Sequence, residues 1–327
     1  MTARRLLASA LLGALFMTML PVPASAALPV PNPWRTRRIL NIAHQGGENE
    51  APSDTLFALA TAVEKGSDVL EIDVHATAEG EIVVLHDTTV NRTTNGTGRV
   101  DELTVAQIKT LDAAHWFVPN CGTCHGRPAA AYVYRGFATG AVPIPADLAA
   151  RGFVPNDFTI PTLREVLTRF PDMLINIEIK NTFPDTKNYE KKLADLLKSF
   201  GRTTDTIVVS FLDHATEIFK LFAPAVSTAT GTVETAVFKI SSEGPLPGLP
   251  NPRYHAIQPP MEFEGITVTN ADFIANAHRN GFAVHVWTIN DRATMEQLVR
   301  WGVDGIMTDY PTLLEDVLTD MDVRWNL

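Results

Sequence analysis

Apolar strand-like runs alternate with helix-periodic stretches almost to the end of this 327-residue chain, and that alternation restricts the fold more than any other feature. The strand candidates are Ile39–His44, Val69–His75, Ile82–His86, Leu174–Lys180, Thr206–Phe211, Val226–Gly231, Ala283–Thr288 and Gly305–Thr308. Helical periodicity marks Ser53–Lys65, Thr162–Phe170, Asn188–Phe200, His214–Phe222, Ala271–Asn280, Arg292–Trp301 and Thr312–Leu318. Repeated β-then-α units imply a parallel sheet covered by helices. Eight strands predict closure into an α/β fold of the (β/α)8 TIM-barrel type, which typically takes about 250 residues. The competing open, doubly wound sheet loses its dinucleotide-binding form, because no G-x-G-x-x-G follows the first strand.

Two stretches break the rhythm. The first, Asp112–Asp157, holds Pro119, Pro128, Pro143, Pro145 and Pro155 with little periodicity. It reads as an insertion, about 112–158, after the third strand and over one end of the barrel. Loops of this length in compact domains are usually functional. The second, Ser241–Pro260, is also rich in Pro and Gly.

Residues 1–26 read as a secretory signal. Arg4 and Arg5 precede an apolar run from Leu6 to Leu20, and Ala24-Ser25-Ala26 has the form of a cleavage site. The run is short of the ~20 residues that span a bilayer. Residues 27–327 would then be an exported barrel with no stable membrane insertion. Composition excludes other classes. An apolar share of 45% is too high for a disordered chain. A net charge of −10, more acidic still without the two signal arginines, excludes nonspecific nucleic-acid binding. Nothing in the sequence assigns an oligomeric state.

Polar residues collect at the C-terminal ends of the strands, where such barrels keep their active sites. The first strand runs into His44-Gln45-Gly46-Gly47, and the glycines would let backbone approach a ligand. In Leu70–His75, Glu71, Asp73 and His75 share one face, and Leu70, Ile72 and Val74 the other. Asn176, Glu178 and Lys180 repeat the pattern on another strand. Carboxylates pointing into a barrel need neutralising by Lys or Arg, or by a divalent cation, which prefers such oxygens. Three carboxylates against one lysine favour the cation. His75 fits a hydrogen-bonded structural role better than a chemical one. The link from Asp73 to His86 is too short for a crossover helix. A tight turn at Glu79-Gly80 would place His86 opposite Asp73. Two histidines beside a carboxylate-held metal suit phosphodiester cleavage, one taking a proton from a hydroxyl and one protonating the leaving alcohol.

These residues carry a resemblance. His44–Gly47, Ala51–Thr55, Glu71–Val74, His86-Asp87, Arg92–Thr94, Ile177–Lys180, Ser210-Phe211, Val286–Asn290 and Gly302–Asp309 follow the order of the glycerophosphodiester phosphodiesterase family. The resemblance implies hydrolysis of glycerophosphodiesters to an alcohol and glycerol phosphate, through a cyclic phosphate formed by the substrate's own hydroxyl. It further implies His44 and His86 as acid and base, and Glu71, Asp73 and Glu178 as ligands of one Ca2+ or Mg2+. Lys180 would lie at the phosphate and Trp287 on the site wall. The chain departs from the family in having Gln45 where most members have arginine, and Ser53-Asp54 where most have Glu-Asn. Gln45 can still donate a hydrogen bond to substrate. Glu48 and Glu50 bring negative charge that would suit a cationic head group, although a solvated loop explains them as well.

Two other readings stay open. Action on lysophospholipids requires a wide apolar entrance, which Tyr132, Tyr134, Phe137 and Phe153 could form, although holding the insertion to the barrel is their preferred role. A catalytically inactive binding barrel is conceivable from the two departures, but it does not require the histidine and carboxylate set. Within the insertion, Cys121-Gly122-Thr123-Cys124 is best read as a local disulfide, since zinc normally takes four ligands and only two cysteines exist.

Overall fold

The computed structural model describes residues 32–35, 38–182, 189–243 and 253–323. The expected signal segment, residues 1–26, lies outside them. Among the described residues, eight barrel strands alternate with eight flanking helices. They run β1 (Leu40–Ala43), α1 (Leu56–Glu64), β2 (Val69–Ala76), α2 (Leu163–Arg169), β3 (Leu174–Ile179) and α3 (Glu190–Ser199). They continue as β4 (Thr206–Val209), α4 (Asp213–Phe222), β5 (Ser227–Thr228), α5 (Thr232–Glu243) and β6 (Ala256–Ile257). The last are α6 (Ala271–Arg279), β7 (Ala283–Val286), α7 (Arg292–Trp301), β8 (Gly305–Thr308) and α8 (Pro311–Asp320). The parallel strands pair in the order β5-β4-β3-β2-β1-β8-β7-β6. A bridge between Ala229 and Ala256 joins the two edges, with Thr230 N–H donating to Ala256 O at 3.1 Å. The sheet is therefore a nearly closed barrel ringed by helices.

Local chemistry explains the element ends. Thr55 caps α1 by accepting from Ala58 N–H. Thr162 and Glu165 form a reciprocal capping box on α2. Asp291 caps α7, which stops at Gly302 in the left-handed region. The outward residues Leu70, Ile72 and Val74 of β2 join Ile175, Ile177 and Ile179 of β3 in one core with α1 and α3. A second core fills the barrel interior around Leu40, Ile42, Val69, Ile207 and Met307.

The strand count holds, but its membership changes. The segment Ile82–Val84 pairs antiparallel with β2 and stands outside the barrel. Its place is taken by β6, which lies in the Pro/Gly-rich stretch. The hairpin register pairs Val74 with Val84 and His75 with Val83. Asp73 therefore faces Leu85, whose N–H it accepts at 2.9 Å, and not His86. The expected turn had two residues. The observed one has three between Thr77 and Glu81, with Gly80 at φ +78°. One added loop residue shifts the partner by one. The helix α5 was not anticipated, and residues 244–252 of the second irregular stretch are outside those described.

The insertion follows this hairpin and so belongs to the loop between β2 and α2. It carries only short elements, including a two-stranded ladder of Phe117–Val118 and Gly122–Thr123. Cys121 and Cys124 are joined by a disulfide beside that ladder. Tyr134, Phe153 and Phe158 pack on Phe57 of α1, with ring centroids 4.9, 4.9 and 4.7 Å away. Tyr132, Phe137 and Phe153 are buried. These aromatics anchor the insertion to the barrel and form no apolar entrance. Asn120 N–H donates to Asn49 O at 2.8 Å, which fixes the insertion over the loop after β1.

Candidate active site

His44 follows β1 directly, in a tight loop where Gln45, Gly46 and Gly47 have φ of 51°, 79° and 85°. Packing on both sides of the loop requires the glycines. A Cβ on Gly46 would lie 2.9 Å from Ala58 Cβ of α1, and one on Gly47 would lie 2.8 Å from Pro311 Cδ of α8. Two helices thus close on the loop and aim the imidazole inward. His44 Nδ1 lies 2.6 Å from Asp309 Oδ1. Asn290 donates its side-chain amide to Asp309 Oδ2 at 2.6 Å and accepts from Asp309 N–H at 3.0 Å. Burial disfavours a charged His44. The hydrogen bond to Asp309 and the fields of Glu71 and Asp73 outweigh burial and raise its pKa to about 10.

His86 is built in parallel fashion. Its Nδ1 lies 2.8 Å from Asp87 Oδ1, and Arg92 Nε donates to Asp87 Oδ2 at 2.9 Å. Burial raises the Asp87 pKa, but the His86 hydrogen bond and Arg92 win and hold it at about 2. His75 has the structural role expected of it. Its Nε2 lies 3.2 Å from His86 O, and Asn181 donates to its Nδ1.

The inward faces of β2 and β3 supply the carboxylates. Glu71 stands in register with Asn176, and Asp73 with Glu178. Oxygens of Glu71, Asp73 and Glu178 all lie within 4.8 Å of one another. Gln45 N–H donates to Glu71 Oε2 at 2.9 Å. Lys180 Nζ lies 3.3 Å from Asp73 Oδ1 and 3.1 Å from Glu178 Oε1. One ammonium does not balance three carboxylates. Burial, followed by the charge of Asp73, lifts Glu71 to about 8 and Glu178 to about 7. Asp73 Oδ2 is buried with no hydrogen-bond partner. A hard divalent cation fits this all-oxygen donor set.

The departures from the family also meet here. Gln45 is buried, with Nε2 3.4 Å from His44 Nε2 and Oε1 unpartnered. Asp54 is buried with neither carboxylate oxygen partnered. Burial and the charges of Asp73 and Glu71 push its pKa well up. Glu50 accepts from Thr312 N–H and Oγ1 at 3.0 and 2.6 Å, so it caps α8 rather than facing a head group. Glu48 sits 3.6 Å from Arg92. Trp287 donates Nε1–H to Gln258 O at 2.6 Å and meets the Phe211 ring edge-on at 5.3 Å.

His44, Glu71, His86, Glu178, Lys180 and Trp287 all border one cleft of about 750 Å3. Asp309, Asn290 and Asp87 were not singled out from sequence. Each sits within a stretch that carried the resemblance, yet nothing local marks a residue that orients a histidine through space. Taken together, the cleft is bordered by two histidines with carboxylate partners, a carboxylate cluster and the ammonium of Lys180. That set can move protons and stabilise charge on a phosphoryl group.

The chain matches the model of the glycerophosphoryl diester phosphodiesterase family over residues 44–313. It is 29% identical to a glycerophosphodiester phosphodiesterase of Bacillus subtilis, covering 97% of this chain and 99% of the relative. It is 30% identical to one from Caldanaerobacter subterraneus subsp. tengcongensis, covering 85% and 96%. Among solved structures, the glycerophosphoryl diester phosphodiesterase domain of a Mycobacterium tuberculosis protein has the same fold, with a TM-score of 0.65 at 17% identity, covering 87% of this chain and 100% of that one. A phosphodiesterase from Oleispira antarctica, solved with the product sn-glycerol-3-phosphate, has a TM-score of 0.59 at 21% identity, covering 85% and 96%.

Proposed function

The chain belongs to the glycerophosphoryl diester phosphodiesterase family and is a phosphoric diester hydrolase, and on that premise we propose that His44 and His86 divide the proton transfers of a metal-dependent cleavage. The observation that carries this reading is the pairing of each histidine with its own carboxylate on one cleft. Asp309 and Asp87 each leave one imidazole nitrogen, Nε2, available at the site.

Glu71, Asp73 and Glu178 would hold one Ca2+ or Mg2+. A cation there supplies charge stabilisation on the phosphoryl oxygens. One histidine takes the proton of the glycerol 2-hydroxyl as its oxygen bonds to phosphorus. The bond to the alcohol breaks, and the other histidine protonates the departing oxygen. Water then opens the cyclic phosphate with the two roles reversed. Lys180 neutralises charge at the phosphate, and Trp287 forms the wall beside the organic groups. Gln45, buried against His44, steadies that ring rather than contacting substrate.

The test is choline release from glycerophosphocholine, with glycerol phosphate identified by mass spectrometry. Turnover is expected with Ca2+ or Mg2+, and is lost on chelation and in His44→Ala and Glu71→Ala. An analogue lacking the 2-hydroxyl should not react. Chelator-resistant turnover, or cleavage of that analogue, would overturn the metal or the cyclic route respectively.

We also propose export after cleavage of residues 1–26. Arg4, Arg5, the Leu6–Leu20 run and a disulfide suited to an oxidising compartment support it. A mature protein whose N-terminal sequence retains Met1 would refute it.

A further inference from the structure

Among the described residues, none that borders the cleft comes from the insertion, 112–158. The outer wall is Val233, Val237 and Ile240 of α5 with Phe263 and Ile266 of a small hairpin after β6. The insertion nevertheless reaches the reaction by another path. His44 is held by its own loop, which two helices clamp at Gly46 and Gly47. His86 stands differently. It follows Ile82–Val84, the strand outside the barrel, and its side chain is 39% exposed against 20% for His44. Asp87 aims its ring, and Arg92 aims Asp87. Whatever fixes Arg92 therefore fixes His86.

Two rings of the insertion do this. The ladder of Phe117–Val118 and Gly122–Thr123 brings Trp116 beside Cys124, whose N–H donates to Trp116 O at 2.9 Å. The disulfide of Cys121 and Cys124 flanks the second strand of that ladder. His125, the next residue, stacks on Trp116 with ring centroids 4.4 Å apart and planes at 23°. Both rings then bond one stretch of backbone. His125 Nε2 lies 2.8 Å from Arg92 O, and Trp116 Nε1–H donates to Thr94 O at 2.8 Å. A carbonyl only accepts, so His125 is the donor in its contact. The pair is braced in turn. Arg135 lies over Trp116 at 4.7 Å and over Tyr132 at 3.6 Å, and donates Nε–H to His115 O at 2.9 Å. We propose that Trp116 and His125 are positioning residues for His86, acting through the Arg92–Thr94 backbone and the Arg92 clamp on Asp87. This inference rests on the reading of His86 as a proton-transfer group. Displacing a reacting group by about 1 Å can cost about a hundredfold in rate, even from a change far from the chemistry. The insertion thus contributes to turnover without lining the cleft.

The test measures choline release from glycerophosphocholine in Trp116→Phe, which removes the N–H and keeps an aromatic ring, and in His125→Ala. Each should lower kcat by about tenfold and leave KM within about twofold, because the rings touch no substrate. His125→Gln, which restores a donor, should recover most of the loss. The decisive arm repeats the substitutions in Asp87→Ala, where the clamp is already gone. There each should cost less than about twofold, as expected of residues that act through one shared partner. Equal losses with and without Asp87 would overturn the inference, since the rings would then act on something other than the clamp. Unchanged kcat in the folded double variant would overturn it as well, as would a loss that appears in KM alone. Should His125→Ala fail to fold, Trp116→Phe carries the comparison by itself. Full turnover in His86→Ala would overturn the reading of His86, and this inference with it.

Discussion

Asp309 holds His44 by a 2.6 Å contact to Nδ1, and Asn290 in turn grips both the carboxylate and the backbone N–H of Asp309. The ring is thereby held with Nδ1 on Asp309 and Nε2 turned to the cleft. Asp309→Asn removes the charge and keeps the shape. We predict that kcat falls by about a hundredfold or more, with a smaller change in KM. Retention of kcat within about threefold would show that Asp309 does not orient His44 for proton transfer.

The metal-free protein should lose stability as pH rises. Glu71 and Glu178 have folded pKa values of about 8 and 7, above their ordinary 4.5. Their contribution is fully present below the unfolded pKa and is lost as pH rises through the folded values. His44, raised to about 10, acts in the same direction at the alkaline end. In chelator, the melting temperature should therefore fall from about pH 5 to about pH 9. Ca2+ should restore it most at the upper end. A melting temperature that climbs across this window would contradict the charge assignment.

Asp54 gives a sharper version of the same test. It is buried and unpartnered beside Asp73 and Glu71. Burial and the charges of Asp73 and Glu71 hold the Asp54 carboxyl well above its ordinary range, so Asp54→Asn should raise the melting temperature of the metal-free protein, and the gain should grow as pH rises. The same substitution should weaken divalent-cation binding, measured by calorimetry, because it removes negative charge from the site. Destabilisation that grows with pH would show that the carboxylate has an unrecognised partner.

Much of the site was legible from β2 and β3, because charged residues alternating with Leu, Ile and Val leave only one inward face. The hairpin was legible in kind and missed in register, since the length of its turn is set by Gly80 and not by the strands. The strand β5 falls within the expected Val226–Gly231, whereas β6, two residues long, carries no periodicity and exists by pairing with its neighbours. The helix α5 hides because Val, Thr and Ile favour extended chain and because its second apolar face blurs the helical period. Gly46 and Gly47 stood out in the sequence, but the helices that press on them, α1 and α8, could not be read from the local pattern.

Glu50 shows how location near a mouth misleads. Its carboxylate caps α8 through Thr312. Glu50→Ala should cost about 1–2 kcal/mol of stability in urea unfolding. It should leave the ratio of choline to ethanolamine release unaltered. A shift in that ratio without loss of stability would return Glu50 to substrate selection.

The proton-moving and carboxylate residues come from one arc of the barrel, β8, β1, β2 and β3 with their loops. The wall comes from the other arc, β4 to β7. The two arcs answer to different demands. The first tolerates little change, because every member fixes another, while the second can drift one aliphatic side chain at a time. Inheritance of the reaction and inheritance of the diet are therefore separable, and two chains alike across the first arc can consume different molecules.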